Sequence, residues 1–327
     1  MNKLLLLPAL LFGAWSAYWF VGKNTLIGAL AEAQTDLRED GIELSTANIK
    51  VKGYPLRYQA ALSGVDVKSE TSHYSAEVVS LKASALKPTV WTLSADKPVR
   101  IQMRGNQGQP YDFILAGEEM RVELGSSVTG KLKSVQAAMR GLKAVAAPGG
   151  LAPPVIAIDA GTVSIAPSAA PLQSGMSARF DISGVRLGDK AGGDLQRAFG
   201  PFISRIQGTG VAAGLASLDP DDMELWQNTG AVTVPDFAMN WGKVGFHGEV
   251  DLDMSPSGAN GAASLGVSDA DALVQTFVEA GMLTQGQALG ATFLLMAAPQ
   301  DAEGRTVLTF PVQNNALTLF GQTLHTF

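Results

Sequence analysis

The chain has 327 residues, of which 46% are hydrophobic and 17% charged, and its formal net charge is −6. Disordered chains are rarely this apolar, and nucleic-acid binding requires a clustered basic face, so the composition argues against both classes. Because there is no cysteine, disulfides, thiolate metal sites and cysteine nucleophiles are excluded. The 36 glycines and 16 prolines are typical of a β-rich protein with many turns.

The N-terminal segment is an apolar run over residues 4–21, preceded by Lys3. As a helix this run would be about 27 Å long, which is close to the thickness of the hydrocarbon core of a bilayer. We therefore predict a signal anchor, a transmembrane helix, over residues 1–23. With Lys3 on the cytoplasmic side the rest of the chain would be exported, which predicts a bacterial inner-membrane protein with its body in the periplasm.

Aromatic residues near the end of the run favour an anchor, because Trp15, Tyr18 and Trp19 resemble the aromatic belt found at membrane interfaces. A cleaved signal peptide that releases the body into the periplasm is the main alternative. Its small-residue cleavage site would end at Ser16 and matches the usual pattern poorly. A buried helix of a soluble protein is the third alternative.

A helical connector over residues 24–41 follows, and Gly41 is expected to end it. Beyond Gly41, turn-forming residues recur about every 8 to 12 residues, which indicates short strands in a meander, a sandwich or an open curved sheet. The first nine predicted strands are 43–51, 57–67, 73–83, 90–93, 99–103, 111–116, 120–124, 155–165 and 177–187. A Pro/Gly-rich stretch over residues 147–154 separates a predicted N-terminal β subdomain, 42–147, from a C-terminal one, 155–327.

The second half contains the clearest strand, residues 244–254, in which apolar and polar residues alternate with a period of two. Three further strands are predicted at 263–267, 307–312 and 316–319. Three helices are predicted near 219–226, 269–281 and 285–298.

Capping residues mark the starts of the last two helices. Ser268 is the predicted cap of the first, and Thr284 with Gln287 has the spacing of a capping box at the second. The predicted apolar stripe of this second helix consists of Leu289, Phe293 and Met296.

A short pattern with a central glycine recurs within the predicted strands, in the order apolar, polar, Gly, apolar, polar, apolar. It surrounds Gly64 and Gly184, and a looser copy surrounds Gly141. Within a strand, glycine marks a bulge, a bend or a close backbone approach. The pattern also favours a strand over residues 131–147, where a basic amphipathic helix is the alternative. The fold we predict is mainly β (α+β), with a curved, mostly antiparallel sheet and a few packed helices.

No catalytic motif is found in the sequence, so we predict a protein that is not an enzyme and binds no cofactor or metal. His247 lies beside carboxylates, but a histidine on a polar strand face is the simpler interpretation. The beginning of a calcium loop at Asp251 lacks the glycine and the glutamate that such a loop requires. Trp226 and Trp241 are predicted to pack in the core or at a sheet edge.

Three stretches together carry a family resemblance: the N-terminal anchor, the sequence GYPLRYQAAL from Gly53, and a block from Trp226 to Leu283. The block contains WGKV, GEVDLD and a helix that ends in AGML. Together they resemble the alphaproteobacterial domain of unknown function 2125 family, over nearly the whole chain. The resemblance implies an exported, anchored, β-rich protein similar in strand style to AsmA-like envelope proteins, and it transfers no activity and no functional residue.

Two functions fit these features. The leading hypothesis is a membrane-anchored protein that binds or shields lipid or another amphiphile in an apolar groove of its curved sheet. The alternative is a non-enzymatic structural or assembly factor of the cell envelope that binds a protein partner. A hydrolase ranks last, because it would require a Ser or Asp within hydrogen-bond reach of His247.

The glycine pattern also generates a stability prediction. Replacing Gly64 with valine should lower the free energy of unfolding more than the same change at Gly150, a predicted loop glycine, because valine cannot follow the bend. Urea unfolding of both variants measures the difference, and equal losses would mean that the bend is incidental.

Overall fold

Two compact units make up the described chain. The computed structural model describes residues 3–39, 41–105, 108–127, 131–168, 175–189, 191, 193–218, 220–319 and 322–326. The first unit comprises Met1–Gly125 and Ala144–Ala152, and the second comprises Ser126–Lys143 and Pro153–Phe327. Strand pairing in both units is antiparallel, so the prediction of a mainly β protein with helices is confirmed.

The first unit contains one helix and eight strands among its described residues. They are α1 Lys3–Glu39, β1 Glu43–Ser45, β2 Asn48–Lys52, β3 Arg57–Lys68, β4 Ser72–Ser84, β5 Lys87–Ser94, β6 Val99–Arg104, β7 Pro110–Ala116 and β8 Glu119–Ser126.

The second unit contains most of β9 and all later elements. They are β9 Leu132–Ala146, β10 Val155–Pro167, β11 Gly175–Leu187, α2 Gly193–Phe199, β12 Phe202–Ala213, α3 Pro220–Thr229, β13 Ala231–Trp241, β14 Val244–Ser255, β15 Gly258–Val267, α4 Ala270–Glu279, α5 Gln285–Ala297, β16 Thr306–Gln313, β17 Ala316–Leu319 and β18 Gln322–Thr326.

Helix α1 is continuous, so the predicted anchor at 1–23 and the predicted connector at 24–41 form one helix. Gly41 follows it with φ +76°, as a helix-ending residue does. Of the predicted apolar run, the side chains of residues 4–14 lie outside the described part. Judged by length and hydropathy, no helix among the described residues qualifies as a membrane span.

The apolar face of the first sheet is covered by α1. Trp19 and Leu26 of the helix are buried against Tyr58, Ala60 and Leu62 of β3. The rings of Trp19 and Tyr58 stack with their centroids 5.7 Å apart. The sheet face that the alternating sequence of β3 predicts to be buried is therefore filled by this chain's own helix.

Gly64 lies at the point along β3 where the pairing partner changes on both sides of the sheet. On one side, β1 and β2 both pair with β3, before and after a break at Ala47. On the other side, β4 pairs first with β6 and then with β5. Gly64 has φ +60°, and the residues flanking it keep one register with β4, so the strand bends there without a bulge.

The sheet of the second unit is a meander, in which each strand from β9 to β18 pairs with the next one along the chain. Phe199 of α2 and Phe277 of α4 cover its apolar face, with ring centroids 5.5 Å apart. The buried residues of this core are Val185, Phe199, Ile203, Trp241, Val244, Phe246 and Val267.

The other two glycines of the recurring pattern lie in one row across this sheet. The register between β9 and β10 places Gly141 opposite Asp159, and the register between β10 and β11 places Asp159 opposite Gly184. Gly141 has φ +58° and Gly184 has φ +64°. A Cβ atom at Gly184 would also overlap the Asp159 carboxylate. Two reasons, backbone conformation and close approach, therefore require glycine at position 184.

The strand β9, Leu132–Ala146, occupies nearly all of residues 131–147, so the helical alternative for that segment is wrong. β9 pairs with β10 from Val135 to Lys143, and the part of this segment up to Lys143 belongs to the second unit. One division between the units, after Ala152, lies inside the predicted loop at 147–154, and residues 126–143 join the second unit in addition.

Two long strands, β12 and β13, were not predicted from the sequence. Gly208 and Gly210 interrupt the apolar pattern of β12. In β13, Pro235 lacks an amide N–H, and the register with β14 shifts between Val234 and Phe237. A proline at such an irregularity leaves the rest of the ladder intact, although it makes the sequence resemble a loop.

Replacing Gly184 with alanine should lower the free energy of unfolding by about 1–2 kcal/mol or more. The positive φ is strained for alanine, and the added Cβ displaces Asp159. Gly266→Ala is the matched control, since a Cβ there meets atoms only at 3.7 Å or beyond. The control should be neutral or slightly stabilising. Urea unfolding followed by tryptophan fluorescence distinguishes them, and equal losses would contradict the requirement for glycine.

Gly150 is an unsuitable control for Gly64, contrary to the expectation from sequence. A Cβ atom at Gly150 would overlap the carbonyl oxygen of Asp112. Gly150→Val should therefore also destabilise the first unit. The bend at Gly64 is isolated better by comparing Gly64→Asn with Gly64→Val, since asparagine adopts positive φ at lower cost.

Candidate functional site: an apolar pocket beside two helices

Helices α4 and α5 form a hairpin whose ends are defined by capping. Asp269 is the N-cap of α4, where its carboxylate accepts a hydrogen bond of 2.8 Å from the amide N–H of Ala272. The predicted cap, Ser268, is wrong by one residue. At α5 the predicted capping box is confirmed, because Thr284 and Gln287 bond reciprocally.

An apolar pocket of about 620 Å³ lies between α4, α5 and β16. No charged side chain lines it, and Thr309 supplies the single side-chain hydroxyl. Its walls are Leu273, Val274, Phe277, Leu283, Ala291, Leu294, Leu295, Ala297, Ala298, Pro299, Val307, Leu308 and Thr309. A pocket of this size and chemistry suits the apolar part of a small ligand.

Helix α5 is apolar on more than one side and carries no charged residue over its 13 positions. Ala291 and Leu295 face the pocket. The predicted stripe faces solvent instead, with Leu289 65%, Phe293 71% and Met296 73% exposed. Periodicity could not choose between the two sides, because both are apolar.

A ladder of polar side chains crosses four strands of the first unit. The two ring nitrogens of His73 lie 2.7 Å from Asp66 Oδ2 and 3.0 Å from Gln102 Oε1. Gln102 Nε2 donates to Asp112 Oδ2 over 2.8 Å. Arg100 completes the ladder with two hydrogen bonds to Asp112, of 2.9 and 2.8 Å. Of these side chains, His73, Gln102 and Asp112 line an open cavity of about 750 Å³.

The surroundings of His247 contain no hydrolase-like pair in the described residues. His247 lines a pocket of about 320 Å³ together with Glu249, Ser264 and Arg305. Arg305 is paired with Asp301 and Glu303. Within the described ranges no group of His, Asp and Glu has an arrangement that could hold a metal ion.

A comparison with protein families gives one match. Residues 19–317 match the model of a family described as an uncharacterized protein conserved in bacteria, DUF2125. The chain belongs to the DUF2125 family. No curated protein matches the chain, and no solved structure does. The resemblance inferred from the sequence motifs is thereby confirmed, and the matched range includes the whole apolar pocket.

The two tryptophans singled out in this DUF2125 sequence are both held by hydrogen bonds to backbone. Trp226 Nε1 donates to the carbonyl oxygen of Ala213, and Trp241 Nε1 to that of Gly200, each over 2.8 Å. Trp241 is buried in the core of the second unit. Neither indole lines the apolar pocket.

Asp112 has the most strongly shifted carboxyl group of the ladder. Hydrogen bonds from Arg100 and then from Gln102 lower its pKa from 3.8 to about 2. Because the folded-state pKa is depressed, the stabilisation is present above the ordinary pKa and is lost as the pH falls through the folded one. The relevant window therefore lies between about pH 4 and pH 2.

The variant Asp112→Asn should unfold more easily in urea at pH 7 and should lose less of its remaining stability between about pH 4 and pH 2 than the unaltered protein. Arg100→Met should behave in the same way, because it removes the main cause of the shift. The double variant should lose little more than either single one. Additive losses would contradict a shared ion pair.

Proposed function

We propose that this DUF2125 protein binds the apolar part of a lipid or another amphiphile in the pocket between α4, α5 and β16. The observation that carries the proposal is a pocket of about 620 Å³ lined by apolar side chains and a single hydroxyl. An acyl chain gains about 0.8 kcal/mol for each methylene that it transfers from water to such walls. A polar head group would remain in water at the mouth.

We also propose that α1 anchors the protein in the bacterial inner membrane and that the body lies in the periplasm. The apolar run over residues 4–21 and Lys3 before it support this. Contacts of α1 favour an uncleaved anchor over a cleaved signal. Trp15 Nε1 donates to the carbonyl oxygen of Pro55, and Ser16 bonds Tyr54, so cleavage after Ser16 would remove both contacts.

Binding without catalysis is part of the proposal. A protein that shields an amphiphile needs an apolar cavity and access to a membrane, and it needs no nucleophile. The hydrolase hypothesis gains no support from His247, for which the described residues supply no Ser or Asp hydrogen bond.

A structural or assembly role is the second candidate function. It is favoured by the exposed stripe of Leu289, Phe293 and Met296 on α5, since exposed apolar patches often mark protein interfaces. In this case the stripe would contact another envelope protein. Crosslinking pull-downs that lose their partner in Phe293→Ser, while the bound amphiphile is unaffected, would support this role.

Lipid binding is tested by filling the pocket. The full chain is purified in detergent, and amphiphiles that stay bound are measured by native mass spectrometry. Ala291→Phe places a ring in the pocket and should reduce occupancy about tenfold, because a difference of about 1.4 kcal/mol suffices for that.

Gly290→Phe is the matched control. It adds the same ring to the same helix at a position where a Cβ meets no atom within 4 Å. Lipid held around α1 is common to both variants and cancels in the comparison. Equal occupancy in the two variants, or no retained amphiphile in the unaltered chain, would make the proposed binding site wrong.

A further inference from the structure

One end of the first unit exposes apolar side chains on two neighbouring connections. The β2–β3 connection exposes Tyr54 and Leu56, and the β4–β5 turn exposes Leu86. The amide N–H of Ala85 donates to the carbonyl oxygen of Leu56 over 3.0 Å, which joins the two connections. Leu56 is 64% and Leu86 72% exposed. Burial of a leucine side chain contributes about 1.5–3 kcal/mol to stability, and most of this contribution is absent at both positions.

Helix α1 extends this surface. Phe20 and Val21 are exposed on the helix, and the ring of Phe20 stacks on Tyr54 with centroids 6.1 Å apart. We define the apolar tip as Phe20, Val21, Tyr54, Leu56 and Leu86. Its helical part forms the end of the apolar run over residues 4–21.

Hydrogen bonds fix α1 against the tip. The indole N–H groups of Trp15 and Trp19 donate to the carbonyl oxygens of Pro55 and Arg57, over 2.9 and 3.0 Å. The hydroxyl of Tyr18 donates to the carbonyl oxygen of Ala85 over 3.2 Å. These three bonds set the depth and the rotation of α1 relative to the tip. A bilayer that contains the apolar run would therefore meet the two connections at its surface.

Charge is segregated at this end. The three segments that build it, residues 3–31, 44–65 and 78–95, contain no Asp or Glu, although the chain has 30 acidic residues. The basic residues of these segments, apart from Lys3, are Lys23, Lys50, Lys52, Arg57, Lys82 and Lys87. Strand register places Arg57, Ser84 and Lys87 in one row beside the tip. The acidic residues of α1 begin at Glu32, beyond the tip.

We infer that the apolar tip inserts into the interface of an anionic bilayer, with the surrounding lysine and arginine side chains at the lipid head groups. The inference rests on the proposed anchor. Apolar side chains flanked by basic ones have the composition of surfaces that lie in a membrane interface. Glu123 of β8, which the register places in the row of Lys82 and Thr92, lies outside the three segments. Each basic residue near an anionic leaflet contributes about 1 kcal/mol. The first unit is thus seated on the membrane in one orientation and does not hang from a flexible tether.

The bilayer is favoured over a protein partner by continuity with the anchor. The tip begins on α1 where the apolar run ends, so no gap separates the lipid-facing helix from Leu56 and Leu86. A protein partner would have to enter the space between the head groups and the first unit.

The absence of cysteine from the sequence makes a direct test available. Single cysteines replace Leu56, Leu86, Glu70 or Leu10 in the full chain and carry an environment-sensitive fluorophore. Each protein is reconstituted in protein-free vesicles of phosphatidylcholine and phosphatidylglycerol that contain brominated acyl chains. Glu70 is the control, because it is exposed at the opposite end of β3. Leu10 reports on the anchor itself.

We expect strong quenching at positions 10, 56 and 86 and little at position 70. Quenching at position 10 alone would keep the anchor and overturn the insertion of the tip, as expected for a docking surface of a protein partner. No quenching at position 10 would overturn the anchor and, with it, the inference. Neither outcome bears on the pocket in the second unit, which the Ala291→Phe comparison tests separately.

Discussion

The first unit depends on the attachment of α1 to its sheet through hydrogen bonds from aromatic side chains. Burying an indole is costly unless its N–H finds an acceptor, and the carbonyl oxygens of Pro55 and Arg57 supply two. Because these acceptors belong to the chain entering β3, the helix covers the apolar face of that strand and also determines what lies at its end. The helix–sheet core and the apolar tip therefore have the same cause. Loss of Trp19 would affect both together.

In the second unit the apolar face of the sheet is covered in a different way. The short helices α2 and α4 cover its sheet, and beside β16 this cover is incomplete. The aromatic cluster around Phe199 closes the core near Trp241 and Phe277. Further along, α5 places small and aliphatic residues, such as Ala291, opposite the sheet, and a pocket remains. A larger residue at 291 would close it, so the pocket depends on side-chain size.

Much of the fold follows from local patterns, whereas the sites do not. Alternation predicts β14, and the pair Thr284 and Gln287 predicts the start of α5, because both signals lie within a few residues. The His73 ladder joins four strands, and its members meet only through the register, which the sequence does not reveal. The exposed side of α5 was likewise unpredictable, since the helix carries no charged residue and is apolar on more than one side. The strands β12 and β13 were missed because glycine and proline within them imitate loops.

The meander of the second unit also bears on how the chain reaches its structure. From β10 onward every strand pairs with the strand immediately before it in the chain, so contacts form between near neighbours in sequence and loop-closure entropy stays small. If the body crosses the membrane in chain order behind the proposed anchor, each new strand is presented to an edge that already exists. Assembly could then proceed hairpin by hairpin during translocation, and the last helices to emerge, α4 and α5, would close over a sheet still growing at its far edge.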